Sequence, residues 1–524
     1  MTRVSDIAEW AAGLGVDDIP PDVLARGRDQ RRSVLASIAA STRDGAARRV
    51  LAAVEGWAAD GPVTLVGTER RVSVDDALYG ATALSMALDF DDYVCFGHTG
   101  HSGVLVPMVL AASTEASASA SEQLVAQTIA NEVEARLGGA CLVGPLNGQL
   151  WSFIHIAGAA LAAGRLLGLD GARMAHALGI ALYQAPRATV PGFMAPDSKL
   201  LTAAEPTVAG VRAARLAAAG VTGPLDALEH GEGFLAAFAD APLPGMLDGL
   251  GSGWATRTLC VKPYPGCAYL DTTVDGLLEL GPVAAADIDR VVVDAGLLTY
   301  EMNRMSQPYA SVSATAVPTP VTINFSVPWN VAVTIVAGEL SPRQVSDEWL
   351  ADHADEVRSV ASLVHLHHDW ALTRQTTEAF ASLIPFGRVA GEAGLGRLGT
   401  TARRRRAAPG GGSAGSELRG LQRMFWPPPD LTTLRSRRPF WDPSSIDAFA
   451  MTFPARVRVI ARDGSEQVVE CARPRGGAGN TVEDPEPVSR TKLAAYGPWL
   501  WGDDGTEALA KAIDADEDDL WRRL

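Results

Sequence analysis

Apolar residues recur every three or four positions along most of the first 220 residues, a period that predicts helices. The spacing predicts helices over 4–15, 22–41, 45–59 and 75–88, with Pro21 in a first turn and Ser73 as an N-cap. Further helices are expected over 105–112, 122–138 (capped by Ser121), 171–185 and 203–220, the last stopped by Gly220. Between them, 151–168 (WSFIHIAGAALAAGRLLG) is small and apolar nearly all round, the pattern of a buried central helix. His155 lies in that stretch and reads as a core histidine rather than a catalyst. The pattern changes near residue 256, where the chain becomes extended and broken by prolines. A helix at 271–280, a valine-rich strand at 288–296 and a helix at 330–337 follow. Segments 456–461 and 467–471 flank Asp463-Gly464, a hairpin signal. The stretch from Pro487 to Leu524 reads as helical and acidic.

These elements predict a mainly α protein: a large helical domain over 1–262, a smaller α+β domain over 263–475, and a C-terminal segment, 476–524, returning to the helical part. Composition fits that outline. Hydrophobic residues make up 47% but aromatics only 6%, so the core rests on Ala, Leu and Val. A net charge of −16 argues against nucleic acid and anionic membrane surfaces as partners. The run Arg403–Arg406, followed by a Gly-rich stretch, reads as a disordered loop rather than an anion patch. The five cysteines are scattered, with no CxxC pair, so neither a disulfide framework nor a structural zinc site is expected. No run approaches the roughly 20 apolar residues of a membrane span, and the N-terminus lacks a signal-like core. A cytoplasmic location is the expectation.

The chemistry concentrates in residues 87–107, ALDFDDYVCFGHTGHSGVLVP. Asp89, Asp91 and Asp92 fall at a helix C-terminus, where the backbone dipole is already negative. A locally poor choice of this kind is a mark of function. His98 and His101 follow in a loop whose glycines (97, 100, 103) are expected to free the backbone so that both imidazoles turn inward. Asp89, Tyr93, His98 and His101 thus form a candidate acid–base group. Metal ligation by the same aspartates and histidines is the alternative, and the glycine loop lacks the one-turn helical spacing of a metal-binding histidine pair. Lys199 and Lys262, in irregular proline-framed backbone, are candidates to hold a carboxylate. No phosphate-binding glycine loop and no GxSxG elbow appears. What remains is side-chain chemistry on an anionic, proton-labile substrate.

With its histidine loop, ALDFDD (87–92) resembles the MmgE/PrpD family, which includes 2-methylcitrate dehydratase, cis-aconitate decarboxylase and iminodisuccinate epimerase. The resemblance continues through 158–185, 198–224 and VKPYPGCAYLDTTVDGLLEL (261–280), and more loosely through 325–333 and 454–464. Residues 395–445 fall outside it and look like an insertion. The resemblance implies a helical domain with an α+β lid, a homodimer, and a site in the cleft between the two. It also implies cofactor-free proton transfer beside a carboxylate, with Asp89, a loop histidine, Lys199 and Lys262 in that site. Tyr93 stands where the family often has Thr; family histidines fall at Gln149 and Asp271, both taken as substrate-binding positions. The expected function is a cofactor-independent, dehydratase-like lyase of a small carboxylic acid. Isomerase, epimerase or decarboxylase chemistry on the same scaffold, a metal-dependent hydrolase, and a non-catalytic paralogue are the alternatives.

Overall fold

The computed structural model describes residues 2–113, 115–116, 118–144, 152–312, 318–394, 396–400, 436–479 and 484–524. Gln149 and most of the expected insertion lie outside the described residues. The fold is mainly α with a smaller α+β part.

The helical part is built around Ser152–Leu166, which packs against helices Ala120–Ala140, Gly171–Tyr183 and Ala204–Ala218. Small residues set how closely these helices approach. A Cβ on Gly210 would lie 2.4 Å from the Ile156 carbonyl oxygen, so only glycine permits that crossing. The predicted helices recur within a few residues at each end. Ser73 accepts from the Asp76 amide as the cap of Val74–Met86. Helix Ala120–Ala140 starts before the expected 122, and its cap is Ser119, not Ser121. The local sequence SASASE (117–122) offers several serines, and an earlier start of the helix selects the upstream one.

The α+β part carries a four-stranded sheet, in order Val364–His368, Ile288–Ala295, Ala455–Ala461, Glu466–Cys471. The first pair is parallel and the others antiparallel. Asp463-Gly464 does turn the hairpin, with Gly464 at φ +85°. Helices Asp271–Leu280 and Val327–Ala337 pack beside this sheet. All five cysteines are free thiols. Among the described residues no helix is long and apolar enough to cross a membrane.

A two-residue strand pair lies just ahead of the α+β part. Asp92–Tyr93 pairs antiparallel with Cys260–Val261, so the acidic turn and the Lys262 turn are stitched together by backbone. The C-terminal helices Pro485–Tyr496 and Pro498–Asp514 return to pack on Pro21–Ser41.

Candidate active site

Helix Val74–Met86 ends just before the acids, and Asp89 takes φ +51°, turning the chain sharply. Aspartate tolerates this left-handed region better than most residues. The glycines do not supply the turn: none of Gly97, Gly100 and Gly103 has positive φ, whereas Asp89 and Phe96 do. At position 100 what matters is the missing side chain, since a Cβ there would sit 2.2 Å from Asp92 Oδ1. The glycine loop therefore packs down on the acids rather than swinging freely.

The turn presents Asp89 and Asp91 to Lys262, which is fully buried. Its Nζ donates to Asp89 Oδ1 (2.8 Å), the Asp89 carbonyl (3.0 Å) and Asp91 Oδ1 (2.9 Å). An ammonium has three protons, so Lys262 is saturated and cannot clamp a substrate without giving up one of these bonds. Lys199, on the short 3₁₀ turn Asp197–Thr202, is also fully buried, with Nζ 3.3 Å from Asp89 Oδ2. Asn324, its amide oriented to donate to the Pro320 carbonyl (2.8 Å), offers Oδ1 to Lys199 at 3.1 Å. The Phe325 and Phe193 rings stand 5.3 and 5.8 Å from the Lys199 ammonium. Burial alone would push both carboxyls up. For Asp89 the two lysines outweigh it and hold the group below the ordinary range. For Asp91 Lys262, His98 and His101 do the same, to well below that range.

Both loop histidines converge on Asp91 Oδ2, His98 through Nδ1 at 2.6 Å and His101 through Nε2 at 3.1 Å. Their surroundings differ. His101 is fully buried, and its Nδ1 lies 2.7 Å from Ser85 Oγ, whose own proton goes to the Thr82 carbonyl. Ser85 can therefore only accept, so Nδ1 of His101 carries a proton. The His98 side chain is 21% exposed against 1% for Asp91, so His98 is the member that solvent reaches. Burial, only partly offset by Asp91, holds His98 below the ordinary imidazole value. Behind His101 a second buried set follows. The His155 ring meets that of His101 edge-on at 5.5 Å, and its Nδ1 is 3.0 Å from Ser102 Oγ, which donates to Glu134 (2.5 Å). His155 is thus a buried, hydrogen-bonded residue one layer behind the loop.

The remaining candidates lie apart from this cluster of bonds. The Tyr93 ring is 6.0 Å from that of His98, and its buried hydroxyl has no hydrogen-bond partner among the described residues. Burial pushes the phenol well above its usual value, and nothing nearby prepares it to lose a proton. Asp271 opens helix Asp271–Leu280 as a buried carboxyl with no ion pair among the described residues. Burial and Asp275 push it well above the carboxylate range. Asp91 as shared acceptor, Ser85, Ser102, Glu134 and the buried Lys492 were not singled out from sequence as site residues. Only Asp91 carried a signal, as the second carboxylate of the acidic turn.

Asp91 Oδ2, His98 Nδ1 and His101 Nε2 lie within 4.8 Å of one another, a donor set that a transition-metal ion can use. However, Asp91 Oδ2 is already hydrogen-bonded by His98 Nδ1, with His101 Nε2 3.1 Å away, and the Lys262 ammonium sits on the same carboxylate. That charge opposes a cation, and the set fits hydrogen bonding better.

Residues 5–245 match the MmgE/PrpD N-terminal domain and residues 264–389 match the MmgE/PrpD C-terminal domain. The chain belongs to the MmgE/PrpD family. It is 28% identical over 295 residues to a cis-aconitate decarboxylase of Aspergillus terreus, covering 53% of this chain and 59% of that protein. A second cis-aconitate decarboxylase, from Aspergillus terreus strain NIH 2624, is 27% identical over the same shares. The cis-aconitate decarboxylase-like protein oryM of Aspergillus oryzae is 26% identical over 34% of this chain and 40% of its own length. The chain thus spans about three fifths of the first two curated relatives.

Proposed function

We propose that the protein is a cofactor-independent lyase that moves a proton at the carbon beside a carboxylate of a small carboxylic acid. The 2.6 Å contact between His98 Nδ1 and Asp91 carries this reading. It fixes the tautomer of His98 with a proton on Nδ1, which makes Nε2 the basic nitrogen of the ring and the one that takes up a proton. A base held below the ordinary imidazole value is neutral at pH 7, as proton abstraction requires. Lys199 holds a substrate carboxylate, because Lys262 is committed to Asp89 and Asp91.

Two net reactions follow from one arrangement. In a dehydration His98 takes the proton alpha to the carboxylate, the electron pair becomes a carbon–carbon double bond, and the β-hydroxyl leaves with a proton as water. In a decarboxylation the bond to one carboxylate breaks, carbon dioxide leaves, and the carbon that keeps the electron pair takes a proton from His98, which has first to pick that proton up from solvent. The decarboxylase relatives make the second the first to test. The test incubates the protein with cis-aconitate and a panel of hydroxy-, keto- and unsaturated mono-, di- and tricarboxylates, following products by NMR. Loss of carbon dioxide or water from one of them supports the reading; no turnover of any contradicts it.

A further inference from the structure

The peptide between Phe90 and Asp91 lies in the middle of the acidic turn, and its carbonyl is held by a lysine from the far end of the chain. Lys492, on helix Pro485–Tyr496, is only 3% exposed. Its Nζ donates to the Phe90 carbonyl and to Ser33 Oγ (3.0 Å) and stands 3.8 Å from the centroid of the Phe90 ring. Ser37 Oγ, on helix Pro21–Ser41, donates to the same carbonyl at 2.5 Å.

The neighbouring carbonyls are held as well. The Asp89 oxygen accepts from Lys262 Nζ (3.0 Å) and the Gly266 amide (3.2 Å), and the Asp91 oxygen from the Lys262 amide (3.3 Å). Three successive carbonyls are thus each fixed from outside, the first and last by the Lys262 turn and the middle one by Lys492 and Ser37. The turn needs this support. Asp89 sits at φ +51°, and a residue in that region persists only where its surroundings over-determine it. The support also comes at a cost, since burial pulls Lys492 down to about 7 despite Asp91, Asp92 and Asp271 nearby, with Lys262 adding repulsion. An apolar side chain of similar length would fill the same space between helices without that cost.

We propose that Lys492 is a positioning residue: by holding the Phe90 carbonyl it aims the Asp89 and Asp91 carboxylates at Lys262 and His98. The proposal rests on the reading of His98–Asp91 as the proton-transfer pair, but its test needs no substrate. The protein is labelled with ¹⁵N-histidine, the His98 signal is assigned with His98→Gln, and its titration is compared in wild type and Lys492→Met. Losing a nearby positive charge alone would move the His98 midpoint up. Losing the Asp91 bond moves it down, because the carboxylate favours the imidazolium. The expected result is a downward shift of half a pH unit or more, with the signals of His230 and His353 unchanged.

A folded Lys492→Met whose His98 midpoint stays put or rises overturns the proposal. Should that variant fail to fold, Ser37→Ala removes the other donor to the same carbonyl without touching charge. A smaller downward shift is expected there, and an unchanged midpoint again overturns it. Once a substrate is known, Lys492→Met is expected to lower kcat at least tenfold with KM within threefold. Absence of activity in every form contradicts the proposed function while leaving the histidine result standing.

Discussion

His98 Nδ1 and Asp91 Oδ2 lie 2.6 Å apart, with the carboxylate buried and the imidazole partly open to solvent. The pair sets the pH behaviour expected of the protein. Burial lowers His98 from the ordinary value more than Asp91 raises it. A base is active when unprotonated, so the acid limb of kcat/KM is expected to fall below the ordinary histidine value of about 6.5. In Asp91→Asn the limb moves lower still and the rate drops. A limb at or above 6.5 in wild type contradicts the assignment of His98 as base.

The two lysines are expected to fail differently. Lys262 gives all three protons to Asp89 and Asp91, so Lys262→Met takes from two buried carboxylates their shared cation and leaves Asp89 with Lys199 and Asp91 with the histidines. Breaking such a buried pair costs about 3–5 kcal/mol, and a large fall in Tm is expected. Lys199→Met leaves Asp89 with Lys262 and is expected to fold. Its effect is on substrate binding, where losing a charge-assisted hydrogen bond of about 1.5–3 kcal/mol raises KM roughly 10- to 100-fold. Melting curves and Michaelis kinetics on both variants check this.

Asp92 tests the buried electrostatics without touching the proposed chemistry. Burial, with Asp91 beside it, raises its carboxyl to about 7. An unfolded aspartate ionises near 4. Between those values the folded chain holds the extra proton, so this group's contribution to stability declines as pH rises from 4 to 7. Asp92→Asn removes that decline while keeping an acceptor for Gln30 Nε2, now at 2.7 Å. Urea melts are expected to show the variant equal to wild type near pH 4. At pH 8 it is expected to be more stable, by something on the order of a few kcal/mol. A pH-independent difference contradicts the protonation state assigned to Asp92.

Chelation separates the hydrogen-bonding reading of Asp91, His98 and His101 from metal ligation. Turnover is expected to survive prolonged EDTA treatment, and elemental analysis is expected to find no stoichiometric zinc, manganese or iron. Activity lost to chelator and restored by one metal would instead make these three residues its ligands.

Much of the fold was legible because helix period, caps and turn residues agree with one another. Val74–Met86 with its Ser73 cap and the Asp463-Gly464 hairpin are instances. Asp89, His98, Lys199 and Lys262 stood out because each is locally a poor choice: acids at a helix C-terminus, imidazoles among glycines, lysines among prolines and apolar residues. Three things were not legible. The glycines of the histidine loop were expected to supply unusual backbone angles, but they supply close approach, which depends on what lies across from them. The contrast between the partly exposed His98 and the buried His101 depends on packing, which sets Ser85, sixteen residues earlier in sequence, against the His101 ring. Lys492 reads as an ordinary residue of an acidic C-terminal helix, and only packing against Pro21–Ser41 brings it some 400 residues back to Phe90.

The most direct measurement is the appearance of solvent deuterium on carbon. Candidate acids, cis-aconitate first, are incubated with the protein in D₂O and followed by NMR, with His98→Gln in parallel. Wild type is expected to place deuterium on the carbon beside a retained carboxylate, and the variant to do so about 10²–10⁴-fold more slowly. Deuterium entering at the same rate in both proteins, or entering no acid at all, would contradict a proton carried by His98.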